Sequence, residues 1–149
     1  FDAEWMSVPT DHSVGSWKFD LLWNQTGSGG GEHRASIQLF GDDISNTQSN
    51  GNKFVYIVDD EGGDLTLRKV ESSSATNILN IGKSANDGNS YTHKVTRSSY
   101  GKFEIFYKGS SQGTTTETYS PPVNYFRIGC NENDGRWTGE CFIDNLVIK

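Results

Sequence analysis

The stretch Trp17-Lys-Phe-Asp-Leu-Leu-Trp-Asn24 indicates the fold class of this chain. Trp17, Phe19, Leu21 and Trp23 alternate with Lys18, Asp20 and Asn24, which is the period of a strand with one buried and one wet face. Similar runs recur about every ten residues between Gly, Asn, Asp and Pro turns, and no convincing helix pattern is present. One wet face implies antiparallel strands, and this many strands imply two packed sheets. We therefore predict an all-β, antiparallel two-sheet β-sandwich, with a jelly roll as the expected form.

The same pattern predicts about ten or eleven strands in all. They are expected near residues 17–24, 35–39, 53–58, 65–70, 77–81, 91–97, 102–107, 114–119, 124–130 and 141–149. No internal repeat or linker interrupts them, and a chain of 149 residues suits one domain. We therefore predict that residues 1–149 form a single domain.

Composition excludes some function classes. The net charge is −6, whereas a nucleic-acid-binding domain needs a basic face, so no nucleic-acid partner is expected. No apolar run is long enough to cross a bilayer, so membrane insertion is not expected either. Eight Phe, six Tyr and four Trp are ample material for a core.

The last two runs, residues 124–130 and 141–149, flank a polar loop. We predict that they pair as an antiparallel hairpin, in which Cys130 and Cys141 lie opposite each other and form a disulfide. In the chain-entropy model, closing such a loop stabilises the fold by about 3 kcal/mol. The alternative is a neighbouring pair of buried free thiols, and no Cys-x-x-Cys motif or His cluster suggests metal binding.

The chain is expected to be secreted, because the predicted disulfide, the few lysines and the abundant Ser, Thr and Asn all fit an exported protein. It begins at Phe1 with no signal peptide, so we expect a mature or excised module of a larger secreted protein.

The stretch Gly88-Asn-Ser-Tyr-Thr-His-Lys-Val-Thr-Arg-Ser-Ser-Tyr-Gly-Lys-Phe-Glu-Ile-Phe-Tyr-Lys-Gly109 resembles laminin G-like, concanavalin A-like jelly-roll domains. Those domains have an aromatic strand with a Val-x-Arg-like pattern, a Gly turn, and a strand that ends in a charged residue and Gly. The runs at 113–116, 125–129 and 142–147 follow in the expected order. The resemblance implies a jelly roll of the kind appended to secreted polysaccharide-degrading enzymes and adhesins, where it binds glycans or acts as a spacer.

Trp137 is the first candidate for sugar binding. It lies in the polar loop between the two cysteines, where its ring would give a flat apolar plate for one face of a sugar. Its neighbours would supply amide, carboxylate and guanidinium partners for hydroxyl groups. These neighbours are Asn131, Asn133, Asp134 and Arg136. The alternative is that Trp137 folds back over the hairpin.

Other candidates lie on the predicted strands and turns. Tyr100, at a Tyr-Gly turn, is a second candidate for an exposed aromatic ring. Four strand residues are candidates for a shared concave face, although the sequence does not say whether they share it. These are Tyr56, Arg34, Gln38 and Arg127. Trp17 and Trp23 are expected in the core, and Trp5 stays undecided.

A calcium site is expected at Asp144, which alternates with Phe142 and Leu146 and so would share an apolar face. A carboxylate there is costly unless it is paired or binds metal. In calcium-stabilised jelly-roll carbohydrate-binding modules, which the chain resembles, such a residue joins one near the N-terminus to hold a structural Ca²⁺. Asp2 and Glu4 match that arrangement by position, and carboxylates are suitable ligands. The alternative is a hydrogen-bonded Asp that braces the first strand.

Catalysis is not expected. Retaining glycosidases need two carboxylates about 5–5.5 Å apart, and a Glu-x-Asp-x-x-Glu pattern is absent. Jelly-roll polysaccharide lyases resemble this chain in Gln38 and in Tyr107-Lys108-Gly109, but their Arg-x-Glu-x-Arg and Gln-x-His motifs are missing. We predict a non-catalytic module that binds a polysaccharide by aromatic stacking and hydroxyl hydrogen bonds. The alternatives are a structural or adhesive laminin G-like module that contacts protein or spaces domains and, less favoured, a lyase or glycosidase.

Overall fold

The structure is a computed structural model, and it describes residues 5–25, 34–42, 51–59, 64–82, 88–131 and 139–149. Within these ranges the chain forms eleven β-strands and no helix. The strands are β1 (Trp5–Pro9), β2 (Gly15–Gln25), β3 (Arg34–Gly41), β4 (Lys53–Asp59), β5 (Leu65–Glu71), β6 (Ser74–Ile81), β7 (Ser90–Arg97), β8 (Lys102–Tyr107), β9 (Ser110–Thr116), β10 (Tyr125–Asn131) and β11 (Gly139–Ile148). Over the same ranges, a helix that could cross a bilayer is not found.

The strands form two antiparallel sheets, which confirms the predicted fold class. The six-stranded sheet has the order β1-β10-β3-β4-β5-β6, and the five-stranded sheet has the order β11-β2-β7-β8-β9. Consecutive strands pair with each other in β3-β4-β5-β6 and in β7-β8-β9, as is usual for antiparallel sheets.

The predicted closing hairpin is wrong. β10 pairs with β1 and β3 in one sheet, whereas β11 pairs with β2 in the other. Cys130 therefore lies in register with Ala35, and Cys141 with Trp23, on opposite sheets. The alternating pattern identified both strands but carried no information about their partners. The side chains of both cysteines lie outside the described part of the structure, so the disulfide stays a prediction, now of a bridge between sheets.

The core lies between the two sheets. Trp17, Phe19 and Leu21 of β2 are buried in it, as their alternation predicted. Trp17 stacks on Phe40 of β3 with ring centroids 5.6 Å apart, so the first long strand of one sheet packs directly on the other. The side chains of Trp5 and Trp23 are outside the described residues.

Arg97 of β7 is held at one end of the core. Its guanidinium carbon lies 5.2 Å from the ring centroid of Phe40, 5.4 Å from that of Phe54 and 5.2 Å from that of Phe103. It also donates hydrogen bonds to the backbone carbonyls of Ser13 (3.0 Å) and Tyr119 (2.8 Å). Arg97 therefore ties two chain segments outside the strands to the aromatic core.

The edge strands β6 and β9 contact each other on one side of the sandwich. Gly113 of β9 faces Leu79 of β6 so closely that a Cβ atom at Gly113 would lie 3.4 Å from Leu79 Cδ1. The two strands are otherwise composed mainly of Ser, Thr, Asn and Gln.

Candidate functional site

The outer face of the six-stranded sheet carries the candidate site. On β4, Phe54, Tyr56 and Val58 belong to the core, so Val55 and Ile57 face the other way. Although Val55 and Ile57 are only 1% exposed, they lie outside the core cluster. The outer face of this sheet is therefore a shielded surface rather than a wet one.

Polar residues concentrate on this shielded face. Five of the buried polar residues alternate with core residues of the same sheet: Ser36, Gln38, Lys53, Thr66 and Arg127. Burying a polar group costs free energy unless it is hydrogen-bonded, and Gln38 and Arg127 both make hydrogen bonds. A surface of this kind, with a few polar groups among small apolar ones, is typical of ligand-binding faces.

One row of paired residues crosses all six strands, and we call it the cross-sheet row. In order from β1 to β6 it consists of Ser7, Arg127, Gln38, Val55, Arg68 and Asn77. The row is exposed at Ser7 and Asn77 and shielded in its middle, where Gln38 is 2% and Arg127 4% exposed. Arg127 and Arg68 are three strands apart, which is about 14 Å at the usual strand spacing.

Hydrogen bonds fix the side chains of this row. Arg127 Nε donates to Ser7 Oγ at 2.8 Å, and Arg68 Nε donates to Asn77 Oδ1 at 2.9 Å. Gln38 Nε2 donates to the backbone carbonyl of Tyr125 at 3.0 Å. Because both guanidinium groups are held through Nε, their planes are oriented before any ligand arrives, which reduces the entropy lost on binding. Guanidinium and amide groups are suitable partners for hydroxyl groups.

Arg127 and Gln38 were both predicted from the sequence, and the structure makes them direct neighbours on one face. Arg68 and Asn77 were missed. The signal for Arg68 was weak, because it lies in a short strand of mixed apolar and polar residues, and only its register with Val55 of β4 places it on the outer face. The side chains of Arg34 and Asn131 lie outside the described residues.

The prediction for Tyr56 is wrong. Its ring is fully buried in the core, and its hydroxyl lies 2.8 Å from Nδ1 of His93 on the other sheet. Burial raises the pKa of Tyr56 well above its usual value. An aromatic residue on an alternating strand has two possible faces, and Tyr56 takes the one that points inward.

Tyr100 is 86% exposed, as predicted for a turn aromatic. It lies between β7 and β8 of the five-stranded sheet, so it is not on the sheet that carries the cross-sheet row. The predicted loop residues Asn133, Asp134, Arg136 and Trp137 are outside the described part of the chain, and their sugar-binding role stays a prediction.

The expected direction of Asp144 is wrong. β11 has a bulge between Asp144 and Val147, where Asn145 adopts a φ of 52°. The bulge changes the alternation, so that Leu146 packs on the core while Phe142 and Asp144 are exposed. Asp144 accepts a hydrogen bond from the Asn145 backbone N–H at 2.7 Å. The buried carboxylate that favoured a metal is therefore absent.

The calcium site itself stays a prediction. Asp2 and Glu4, its other expected ligands, lie outside the described residues. Among the residues with described positions, no three His, Cys, Asp or Glu side chains are grouped so that they could hold a metal ion.

The lyase-like residues are separated. Gln38 is on the outer face of the six-stranded sheet, whereas Tyr107 is 4% exposed and belongs to the core from the five-stranded sheet. The two patterns noted in the sequence therefore do not share a surface.

Comparisons with known proteins identify the fold. A scan against protein-family models gives no match, and a search of curated proteins gives none. Among solved structures, a tetrameric galectin from the ball sponge Cinachyrella sp. superposes with a TM-score of 0.67 at 14% identity, covering 97% of this chain and 98% of that one. The carbohydrate-binding module CBM66 from Bacillus subtilis has a TM-score of 0.62 at 13% identity, covering 95% of this chain and 80% of that one.

A marine PL7 alginate lyase, AlyA1 from Zobellia galactanivorans, is also similar, with a TM-score of 0.55 at 20% identity. It is covered over 64% of its length, and 95% of this chain is matched. At these identities the likeness concerns the fold alone. The chain has the concanavalin A-like, jelly-roll β-sandwich fold that the sequence predicted.

Proposed function

We propose that this protein is a non-catalytic carbohydrate-binding module that holds a polysaccharide across the outer face of the six-stranded sheet. The cross-sheet row carries the proposal, because it places two oriented guanidinium groups and an amide on one shielded face. Its length of about 14 Å between the arginines exceeds one sugar ring, so it suits a chain rather than a single sugar. The similar fold of a protein named as a carbohydrate-binding module supports the same function.

The loop that contains Trp137 would extend this surface. It begins where β10 ends, and β10 carries Arg127. In this proposal Trp137 stacks on a sugar ring next to the row. We also propose that the protein is a module of a larger secreted protein.

A non-catalytic role is favoured by the acidic residues. Asp20 and Asp144 are direct cross-strand partners on the five-stranded sheet. A glycosidase needs a general acid with a raised pKa, whereas hydrogen bonds from Thr92 and Asn145 lower the pKa of Asp20. Asp20 therefore does not supply the protonated acid that this chemistry requires.

The test is affinity gel electrophoresis on neutral and acidic polysaccharides. We expect retardation by at least one glycan, and Arg68→Ala to weaken it about tenfold, as for one lost charge-assisted hydrogen bond. Gln38→Ala should act in the same direction, whereas Lys102→Ala, an exposed residue of the other sheet, should have no effect. Circular dichroism melting of each variant separates lost binding from lost folding.

Three results would contradict the proposal. Absence of retardation by any glycan, with the fold intact, favours the structural or adhesive module. Unchanged retardation of both row variants places the site elsewhere, and Trp137→Ala then tests the loop. New reducing or unsaturated ends after incubation with the polysaccharides show an enzyme.

A further inference from the structure

A second surface lies on the outer face of the five-stranded sheet. It is a cleft of about 510 Å³ formed mainly by β7 and β8. Its lining consists of Lys18, Ser90, Tyr91, Thr92, Lys94, Phe106, Lys108 and Gly109. Three of these residues are lysines, and none of the described residues that line the cleft is acidic.

Two of the lysines lie directly opposite each other on neighbouring strands, where their like charges repel. Lys18 of β2 and Lys94 of β7 are direct cross-strand partners on the same face. Like charges at directly opposed positions destabilise a sheet, so this pair is not explained by stability. In a protein of net charge −6, a local concentration of lysines is a specific feature rather than a reflection of composition.

Lys108 is held at the rim by an unusual backbone conformation. Its φ is 52°, a region that a residue with a Cβ atom adopts at a cost, and Gly109 follows with a φ of 78°. The Lys108 ammonium lies 3.5 Å from the ring centroid of Tyr91, which also lines the cleft. Tyr91 also packs against the core, so this contact holds the Lys108 ammonium at the edge of the cleft and not beside Lys18 and Lys94.

Phe106 supplies an apolar surface in the same cleft. It is the cross-strand partner of Lys94, whose ammonium lies 5.1 Å from the ring centroid. The ring is half-buried, so part of it remains open to the cleft. Asp20 and Glu104 are acidic residues on this face. Asp20 accepts hydrogen bonds from Thr92 Oγ1 and from Asn145 Nδ2 at 2.8 Å, and Glu104 accepts one from Ser111 Oγ at 2.6 Å.

We propose that this cleft, which we call the lysine cleft, binds an acidic polysaccharide through one anionic sugar unit. Lys18 and Lys94 bind the carboxylate or sulfate group, and the sugar ring packs on Phe106. An aromatic plate beside several cations matches a ligand with a flat ring face and a negative charge, which distinguishes such a sugar from a free inorganic anion. The proposal does not depend on the cross-sheet row, because the two surfaces lie on opposite sheets.

The test compares one uncharged polysaccharide with two polysaccharides that carry different anionic groups. Affinity electrophoresis uses polygalacturonate, which carries carboxylates, dextran sulfate, which carries sulfate esters, and uncharged dextran. We expect retardation by polygalacturonate or dextran sulfate that falls with added salt, and the comparison shows which anion is preferred. Lys18→Gln and Lys94→Gln should each weaken binding about tenfold. Lys102→Gln, on β8 but outside the cleft, should not weaken it.

The variant Phe106→Ala distinguishes the binding of a sugar ring from the binding of an anion alone. We expect it to weaken polysaccharide binding while leaving weak, salt-sensitive retention by the lysines. The proposal is overturned if both lysine variants bind like the unaltered protein, if neither charged polymer is retained, or if dextran binds equally well. Equal retention by single-stranded DNA would also overturn it, because the cleft would then not distinguish an acidic polysaccharide from another polyanion.

Discussion

Tyr56 Oη lies 2.8 Å from Nδ1 of His93, so a single buried hydrogen bond joins the six-stranded sheet to the five-stranded sheet. The His93 ring also stacks on Phe19 at a centroid distance of 5.6 Å. His93 Nε2 has no hydrogen-bond partner among the described residues. The centre of the core therefore contains an imidazole that has no means of accommodating a positive charge.

Acid should destabilise the fold through His93. Burial lowers its pKa from 6.5 to about 4, so between these values the unfolded chain binds a proton that the folded chain does not. Stability is therefore complete above pH 6.5 and is lost as the pH falls towards 4. From pH 7 to pH 5 we expect a loss of about 2 kcal/mol, measured by urea unfolding. His93→Phe should remove this pH dependence, whereas Tyr56→Phe should keep it; an unchanged slope in His93→Phe would assign the dependence to another group.

Arg97 should be one of the most important single residues for stability. Arg97→Met keeps much of the apolar volume but leaves the carbonyls of Ser13 and Tyr119 without their donor. We expect a loss of about 3 kcal/mol in the free energy of unfolding. Arg68→Met is the matched control, because Arg68 is half-buried on a sheet surface, and it should cost about 1 kcal/mol or less. Similar costs for the two variants would contradict a stabilising role for the contacts of Arg97 with Phe40, Phe54 and Phe103.

Gly101 and Gly109 separate two reasons for glycine at a turn. Both have a positive φ, of 77° and 78°. A Cβ atom at Gly101 would lie 2.2 Å from the Glu117 carbonyl oxygen, whereas at Gly109 nothing lies within 4 Å. Gly109→Ala should therefore cost only the backbone term of about 1–2 kcal/mol, and Gly101→Ala clearly more. Thermal unfolding of the two variants measures the difference, and equal values would show that the backbone at Glu117, just after β9, moves aside easily.

Lys18 and Lys94 should show a repulsive coupling. A double-mutant cycle of Lys18→Gln and Lys94→Gln isolates the pair from the contact of Lys94 with Phe106. We expect a repulsion of about 0.5 kcal/mol at low ionic strength that decreases as salt is added. An attractive or zero coupling would mean that the two ammonium groups avoid each other in solution.

Strand positions could be predicted from the sequence, because alternation is a local property. Ala35 and Ile37 face the core as their spacing indicated, and Trp17 does so too. The pairing of β10 and β11 could not be predicted, since a strand pattern does not name its partner. The direction of Asp144 failed for a related reason: a bulge inverts the alternation within one strand.

The candidate site was only partly accessible to sequence reasoning. Arg127 and Gln38 are 89 positions apart in the chain, and only the register of β10 against β3 makes them neighbours. Arg68 joins them through two further registers, of β3 with β4 and of β4 with β5. A binding surface that runs across strands is therefore distributed over the sequence, and no local motif represents it.

The contact between β6 and β9 has a consequence for aggregation. An unpaired edge strand exposes backbone donors and acceptors that another chain can join, and long apolar edges are the usual start of fibrils. Here the two edges meet on one side of the sandwich, and their side chains are mainly short and polar. When several molecules of the protein bind side by side along one polysaccharide, these edges would present hydrated Ser and Thr side chains to each other. They would not present an apolar edge strand that another chain could pair with. The composition of β6 and β9 thus protects this side of the domain against sheet-to-sheet growth.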